Sequence, residues 1–278
     1  MAEALHRMEQ VQQAAGGDVL FRGEATYHAT RLPTAARGTI RDRWFRETYL
    51  TNLSQAVFDE LIQPHVQEIG FAPHFRGRFI GCYDLLGRVG QETYIEAIWQ
   101  LQALLQHYDR QSAWLDVTFD PRVALFFACF DAGAGRILRD GIGYIHFIRL
   151  EDVSDAWSPV IDLRSTADLV AEIVNTTAER PRVQSAGAMR YVRPLATEPN
   201  DGGFQTIVVR RGEWAELFNP AWFFPDEKLV QVLNDVERHY LNFLKPIAAS
   251  GRYQDIEVGH DFVSLCDQVL VERRHLLT

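Results

Sequence analysis

Residues 106–130 read Gln-His-Tyr-Asp-Arg-Gln-Ser-Ala-Trp-Leu-Asp-Val-Thr-Phe-Asp-Pro-Arg-Val-Ala-Leu-Phe-Phe-Ala-Cys-Phe, and this stretch decides the fold. The β-branched and aromatic residues of 114–119 predict a short buried strand. Asp120 followed by Pro121 is typical of a helix start, with an N-cap side chain and a proline at the first helical position. The run 123–130 is apolar on every side, so the helix that it predicts is buried.

Two polar residues, Asp116 and Thr118, interrupt this apolar strand. Burying a carboxylate costs several kcal/mol or so unless a partner is supplied, so the sequence predicts a partner for Asp116. Arg22, at the end of the first predicted strand, is one candidate for a structural ion pair. A second interpretation is that Arg22 binds the phosphate or carboxylate of a ligand, with Gly23 allowing the ligand to approach. The two interpretations are compatible.

Composition and charge limit the classes of protein. The chain has 278 residues, of which 47% are hydrophobic and 23% charged, as in an ordinary soluble globular protein. A net charge of −9 argues against a broad nucleic-acid-binding surface. The three cysteines are far apart, which favours reduced thiols and a cytoplasmic location. No apolar run is long enough to cross a bilayer, and the polar N-terminus lacks a secretory core, so we expect no membrane partner.

Hydrophobic periodicity predicts the remaining elements. Strands are predicted at 18–24, 143–150 and 204–210, and helices at 54–69 (kinked at Pro64), 91–108, 165–175 and 225–244, with a loop at 26–46. Strands and helices do not alternate regularly, which predicts an α+β fold with one or more small mixed sheets and several flanking helices. The predicted organisation is an N-terminal helix or tail at 1–17, a core domain at 18–211, and a C-terminal helical segment at 212–278 packed on the core.

Common catalytic motifs are missing from the sequence. It has no phosphate loop of the Walker type, no Gly-x-Gly-x-x-Gly after a strand, no Gly-x-Ser-x-Gly and no His-Glu-x-x-His. The cysteines and histidines lack metal-ligand spacing, so we expect no metal. The aromatic residues of 214–224 predict a hydrophobic cluster that packs the last helix, or, if they are exposed, an interface with a partner.

The segment Leu20-Phe21-Arg22-Gly23-Glu24 resembles the motif that names the FRG domain, a widespread and mostly uncharacterised prokaryotic family. Further matches to that family follow in order along the chain: Gln106, His107, Tyr108, Leu115, Asp116, Thr118, Pro121, Ala124, Leu125, Phe127, Ala128, the run 180–184 and Gly187. The resemblance runs from about Asp18 to Arg211. Asp109, Gln111 and Ala113 stand where the family has glycine, proline and arginine, so the role of that arginine is open here. A second Phe-Arg-Gly triplet at 75–77 lacks a preceding strand and is taken as coincidence.

The order of elements is also similar to that of the ADP-ribosyltransferases, which implies a core of that kind and NAD as the substrate. In that family an arginine on the first strand holds the phosphates of NAD, and a serine or threonine begins a strand-to-helix unit. By this resemblance the ligand-binding residues are Arg22, Phe21, Gly23, Thr118, Tyr108 and Arg182, and the residues at the reacting bond are Asp116, Gln184 and His107.

Gln184 falls where those enzymes have a glutamate. Cleavage of the glycosidic bond of NAD passes through an oxocarbenium-like centre that a carboxylate stabilises. Glutamine carries no charge, so the negative group would come from Asp116 or from Glu179, and the apolar flanks of Asp116 favour the former.

Three functional hypotheses follow. The first is a cytoplasmic effector of a toxin or anti-phage system that binds NAD or a related nucleotide and transfers or hydrolyses its ADP-ribose, with an antitoxin or protein target as partner. The second, favoured by Gln184, is a non-catalytic module that binds a nucleotide or a protein. The third is an RNA-acting toxin that uses His107 as its general base.

Overall fold

The computed structural model of the protein describes residues 2–14, 19–28, 40–62, 91–108, 110, 114–153, 157, 160–191, 203–249 and 266–277. Pro64, the triplet at 75–77, and the departures at Asp109, Gln111 and Ala113 lie outside the described residues.

Helices and strands are mixed along the chain. Helices α1 to α7 span Ala2–Ala14, Ile40–Val57, Gln91–His107, Pro121–Cys129, Leu163–Ile173, Glu179–Val183 and Lys228–Ala249. Strands β1 to β8 span Val19–Glu24, Trp114–Thr118, Phe130–Asp131, Arg136–Ile137, Ile142–Arg149, Val160–Asp162, Ala186–Arg190 and Gln205–Arg210. One π-helical turn, Phe58–Ile62, continues α2.

The predicted strand–turn–helix unit is confirmed. β2 is followed by Asp120, whose side chain accepts a hydrogen bond from the Arg122 main-chain N–H at 2.8 Å, and Pro121 begins α4. The loop predicted at 26–46 is wrong at its end, because α2 already begins at Ile40. Residues 40–46 carry three arginines, which favour helix, and Ile40 and Trp44 are four residues apart, a spacing typical of a helix that the loop prediction overlooked.

Among the described residues, six strands form one sheet in the order β6-β7-β2-β1-β5-β8, and β3 and β4 form a separate pair. Each described pairing is antiparallel. The predicted α+β class is therefore confirmed, whereas the prediction of small mixed sheets is wrong, because the larger sheet has six strands and its described pairings are antiparallel. β1 lies inside the sheet, with Phe21 opposite Thr118 of β2 and Arg22 opposite His146 of β5.

The two faces of this sheet carry different residues, because successive side chains of a strand project to opposite faces. On the first face, α4 packs against a cluster that includes Val19, Phe21, Ile145, Phe147, Ile207 and Val209. On the second face, a separate cluster includes Leu20, Leu115, Val117, Ile148, Met189 and Phe204. Arg22 and His146 lie on the second face, beyond the end of this cluster.

Glycine allows α4 to contact the sheet through its main chain. A Cβ atom on Gly23 of β1 would lie 1.8 Å from the Ala124 carbonyl oxygen, and one on Gly143 of β5 would lie 2.1 Å from that of Ala128. Gly23 therefore allows the close approach of helix α4, whereas the sequence predicted the close approach of a ligand.

The chain divides into two compact units. Unit 1 comprises Met1–Arg37, Ala113–Asp168 and Ala178–Glu227, and unit 2 comprises Gly38–Ser112, Leu169–Thr177 and Lys228–Thr278. The segments predicted from the sequence are contiguous, whereas each unit combines three separated stretches. The six-stranded sheet and α4 belong to unit 1.

Unit 2 contains a buried carboxylate, Glu237 of α7, which has no exposed surface. It accepts hydrogen bonds from the Tyr49 hydroxyl at 2.5 Å, from Arg110 Nη2 at 2.7 Å and from Arg273 Nε at 2.6 Å. Burial raises the pKa of Glu237, but the charge of Arg110 and the hydrogen bond from Arg273 outweigh it, so the pKa lies below its usual range. Burial and the Glu237 charge raise the pKa of Tyr49 well above its usual value, which keeps this hydroxyl a donor.

The aromatic residues near 214–224 form a hydrophobic cluster, as predicted, but around α4. The ring of Phe126 stacks on that of Phe223 with centroids 3.9 Å apart, and Phe130 contacts Phe224 at 5.2 Å. Trp214 is buried, whereas Trp222 is exposed.

Candidate functional site

Four polar side chains on the second face of the sheet form the candidate site of unit 1. Arg22 of β1, His146 of β5 and Thr206 of β8 lie opposite one another across three strands, and Glu24 lies two residues after Arg22 on the same face. We call Arg22, Glu24, His146 and Thr206 the polar row. Glu24 and His146 are buried, whereas 22% of the Arg22 side chain is exposed.

Two acceptors fix the Arg22 guanidinium. Its Nε donates to Glu24 Oε1 at 2.8 Å, and its Nη1 donates to the main-chain oxygen of Asp116 at 2.8 Å. The carboxylate that pairs with Arg22 is thus that of Glu24. The ion pair predicted between Arg22 and the Asp116 carboxylate is wrong, because these two side chains project to opposite faces: Phe21 lies opposite Thr118, so Asp116 shares the face of Thr118.

His146 connects Glu24 to Thr206. Its Nε2 lies 3.3 Å from Glu24 Oε2, and its Nδ1 lies 2.9 Å from the Thr206 hydroxyl. A carboxylate only accepts hydrogen bonds, so Nε2 carries the hydrogen that faces Glu24. The Thr206 hydroxyl can both donate and accept, so it can pair with Nδ1 in either role.

Glu24 is ionised in this environment. Burial raises its pKa, but the hydrogen bond with His146 and the charge of Arg22 outweigh that effect and lower the pKa to about 2, from an ordinary value of 4.5. The polar row therefore contains a buried negative charge that holds the more exposed guanidinium.

This pKa predicts a dependence of stability on pH. Because the folded pKa of Glu24 is below the unfolded one, Glu24 stabilises the fold above pH 4.5, and this contribution is lost as the pH falls from 4.5 towards 2. The two pKa values correspond to about 3 kcal/mol. Urea unfolding between pH 6 and pH 3 should show about 2 kcal/mol of this loss in the wild type and a weaker pH dependence in Glu24→Gln.

Glu216 provides the control for this experiment. It is exposed and pairs with the exposed Arg139, so Glu216→Gln should follow the wild type at every pH. Equal pH dependence in Glu24→Gln and the wild type would contradict the role given to Glu24.

Thr118 and Gln184 come together, with the side-chain hydroxyl of Thr118 against the main chain of Gln184. The Thr118 hydroxyl donates to the Gln184 carbonyl oxygen at 2.7 Å and accepts from the Asp120 main-chain N–H at 3.0 Å. The Gln184 side chain donates to the Phe223 carbonyl oxygen at 2.6 Å. Ser185, with φ of 42°, turns the chain into β7. Both side chains are buried and join the start of α4 to the turn between α6 and β7 and to the aromatic cluster.

Three further predicted residues have packing or surface positions in unit 1. Phe21 has no exposed surface and belongs to the cluster under α4. Gly23 contacts the α4 main chain. Arg182 is exposed and donates to Asp168 at 2.7 Å.

His107 and Tyr108 belong to unit 2. His107 is the half-buried last residue of α3, and its ring lies edge-on to that of Tyr108, with centroids 5.8 Å apart. Tyr108 is 1% exposed, and its carbonyl oxygen accepts from Arg110. The hypothesis that His107 acts as a general base on RNA stays a prediction.

The sequence reasoning missed Glu24, His146 and Thr206. A signal for Glu24 was present, since residues i and i+2 of a strand share a face and an acid two positions after Arg22 can reach it. The alternation at 143–150 placed His146 on a strand, but no local pattern could place that strand beside β1.

Among the described residues, no three His, Cys, Asp or Glu side chains are arranged to hold a metal ion. None of the described helices is both long enough and apolar enough to span a membrane. Cys129 and Cys266 are free and buried, and burial raises the pKa of Cys129 to about 11, which makes it a poor nucleophile.

The fold and the polar row define an α+β protein with an arginine at the centre of its candidate site. Comparison with protein families finds the FRG domain at residues 17–135, so the chain contains an FRG domain in that range, as the Leu20–Glu24 motif predicted. The matched range includes Arg22, Glu24 and Thr118 and ends before His146 and Gln184. No curated protein and no solved structure matches the chain.

Proposed function

We propose that unit 1 binds an anionic small molecule of the nucleotide class through Arg22. A guanidinium has five N–H donors, and the bonds to Glu24 and to the Asp116 oxygen use two of them. Among the described residues, the remaining three have no partner, and the side chain is partly exposed. An arginine of this kind can bind a phosphate through two parallel hydrogen bonds.

The fixed position of Arg22 is the observation that carries this proposal. A free arginine loses side-chain entropy when it binds, whereas one already held by two acceptors loses less. Glu24 and His146 act here as positioning residues, because they are buried and contact the guanidinium or its partner. Glu24 also reduces the net charge beside Arg22, so we expect moderate affinity, with the contacts made by hydrogen bonds from Nη1 and Nη2.

Binding without chemistry is better supported than ADP-ribose transfer. The Thr118 hydroxyl and the Gln184 amide are each engaged with main-chain oxygens, and Gln184 carries no charge to stabilise an oxocarbenium-like centre. The side chains of Arg22 and Thr118 also lie on opposite faces of the sheet. The non-catalytic alternative therefore comes first, with NAD as a proposed ligand.

Calorimetric titration with NAD tests the proposal. Hydrogen bonds to a charged group are worth about 1.5–3 kcal/mol each, so Arg22→Ala should weaken NAD binding by about 10- to 100-fold. Arg22→Lys keeps the positive charge, but an ammonium group cannot bond to Glu24 and to the Asp116 oxygen and also bind a phosphate through two parallel hydrogen bonds. We therefore expect an intermediate affinity. Arg139→Ala, at an exposed arginine, is the control that should bind as the wild type does.

Failure of the wild type to bind NAD or ADP at millimolar concentration would contradict the proposal. So would binding that Arg22→Ala leaves unchanged. The thermal midpoint of each variant shows whether a loss of binding reflects a loss of fold.

A second candidate is cleavage of NAD with transfer or hydrolysis of ADP-ribose, as an effector in toxin or anti-phage systems with an antitoxin or protein target. One observation favours it: Glu24 places an ionised carboxylate 2.8 Å from Arg22 Nε. The Glu24 side chain is only 4% exposed, which argues against its direct contact with a ribose. Release of nicotinamide in the titrated samples, lost in Glu24→Gln, would favour this candidate, and intact recovery of NAD would favour binding alone.

A further inference from the structure

Beside the polar row, the second face of the sheet carries an exposed aromatic pair. The rings of Tyr27 and Tyr144 contact each other, with centroids 5.1 Å apart and planes at 55°. Tyr27 follows β1 and is 49% exposed, and Tyr144 of β5 is half-buried. Val208 of β8 lies opposite Tyr144 and is 56% exposed. These three side chains form a surface that we call the apolar strip.

The strand register places this strip next to Arg22. Tyr144 lies opposite Glu24 and two residues before His146, which lies opposite Arg22. Tyr144 therefore shares the face of Arg22 as its diagonal neighbour across two antiparallel strands, at a typical separation of about 7–8 Å. A phosphate bound by Arg22 and a planar ring stacked on the tyrosines would thus be no farther apart than the phosphate and the base of a single nucleotide.

We infer that Tyr27 and Tyr144 form a subsite for the base of a nucleotide whose phosphate is bound by Arg22. The inference rests on the proposed function, and it specifies that the ligand carries an aromatic ring as well as an anion. Every nucleobase has a face that can stack on a tyrosine ring, and such stacking is largely independent of base identity. Val208 adds apolar surface at the far edge of the strip.

An exposed tyrosine alone indicates nothing, since single apolar residues are common on protein surfaces. Here two aromatic rings and a β-branched residue lie together on one face. A guanidinium with remaining donors lies beside them. Pyrophosphate could use only the guanidinium, whereas a nucleoside diphosphate could use both parts.

Calorimetry with two probes, ADP and inorganic pyrophosphate, separates these parts. The wild type should bind ADP about 10-fold more tightly than pyrophosphate, because stacking adds to the arginine contacts. Tyr144→Leu and Tyr27→Ala should each weaken ADP binding about 5- to 10-fold and leave pyrophosphate binding unchanged. Tyr27→Phe keeps the ring and should bind ADP as the wild type does, and Trp222→Ala removes an exposed ring elsewhere in unit 1 and should have no effect.

The outcomes also separate this inference from the proposed function. If ADP and pyrophosphate bind equally well, or if the tyrosine variants bind ADP as the wild type does, the base subsite is refuted while the arginine site stands. If neither probe binds to the wild type, the proposed function fails and the base subsite fails with it. If Tyr27→Ala binds both ADP and pyrophosphate more weakly, the substitution has changed Arg22 and not removed a stacking contact. This result would also overturn the inference.

Discussion

Replacing Gly23 with alanine is expected to lower the free energy of unfolding of the protein by about 3 kcal/mol or more. The new Cβ would lie 1.8 Å from the Ala124 carbonyl oxygen and 2.7 Å from the Ala128 nitrogen, both main-chain atoms of α4. Neither atom can move without shifting the whole helix, which is packed on β1 and β5. Alanine would also reduce the entropy of the unfolded chain, but that gain is only about 0.4–1 kcal/mol, so the clash decides the sign.

Urea unfolding of Gly23→Ala, Gly143→Ala and a control measures this effect. Gly143 should behave like Gly23, since its Cβ would lie 2.1 Å from the Ala128 oxygen. Gly133 is exposed, and the nearest atom to its Cβ would be a side-chain oxygen of Asp131 at 3.4 Å, so Gly133→Ala should change stability by less than about 0.5 kcal/mol. A Gly23→Ala protein as stable as Gly133→Ala would show that α4 does not pack on β1 as described.

Replacing Glu237 with glutamine is expected to cost about 3–5 kcal/mol, because it removes the charge shared by two arginines. The Arg110 side chain is only 3% exposed and bonds to Glu237 through both Nε and Nη2. Arg273 bonds to both oxygens of the same carboxylate. Without this carboxylate, the buried Arg110 guanidinium faces the neutral amide of glutamine. The amide N–H group can also point at the N–H donors of the guanidinium.

The matched control is Glu216→Gln, in which an exposed glutamate that pairs with Arg139 loses its charge. An exposed pair is worth about 0–1 kcal/mol, so this variant should unfold almost as the wild type does. Equal urea midpoints for the two glutamine variants would contradict the account of Glu237. The measurement is made at pH 7 for both variants.

Local patterns predicted the elements that matter most for the site. The alternation and composition of β2, the Asp120 cap and Pro121 together define a strand followed by a buried helix, and each signal lies within a few residues. The Leu20–Glu24 motif likewise defined β1 and its arginine. These predictions succeeded because they depend on periodicity and capping, which act over short distances.

The partner of Arg22 could not be decided in the same way. Both Glu24 and Asp116 were available carboxylates, and the choice depends on which face each occupies. Glu24 shares the face of Arg22 by its spacing along one strand. The face of Asp116 depends on the register between β1 and β2, in which Phe21 lies opposite Thr118, and a slip of one residue would have reversed it.

Gly23 shows a second limit of sequence reasoning. A glycine beside an arginine fits a close approach by a ligand as well as one by another part of the chain. The sequence contains the small residues Ala124 and Ala128 one helical turn apart, which suit close packing of α4, but nothing local says which strands they meet. The order β1-β5 in the sheet supplies that information.

A crystal structure of the protein with ADP would show whether Arg22 binds the phosphate while Glu24 holds it. We predict that Arg22 Nε stays on Glu24 Oε1, close to its present 2.8 Å, while Nη2 donates to a phosphate oxygen within about 3 Å. Phosphate bound away from Arg22, or an Arg22 guanidinium that leaves Glu24 for the Asp116 carboxylate, would contradict this prediction.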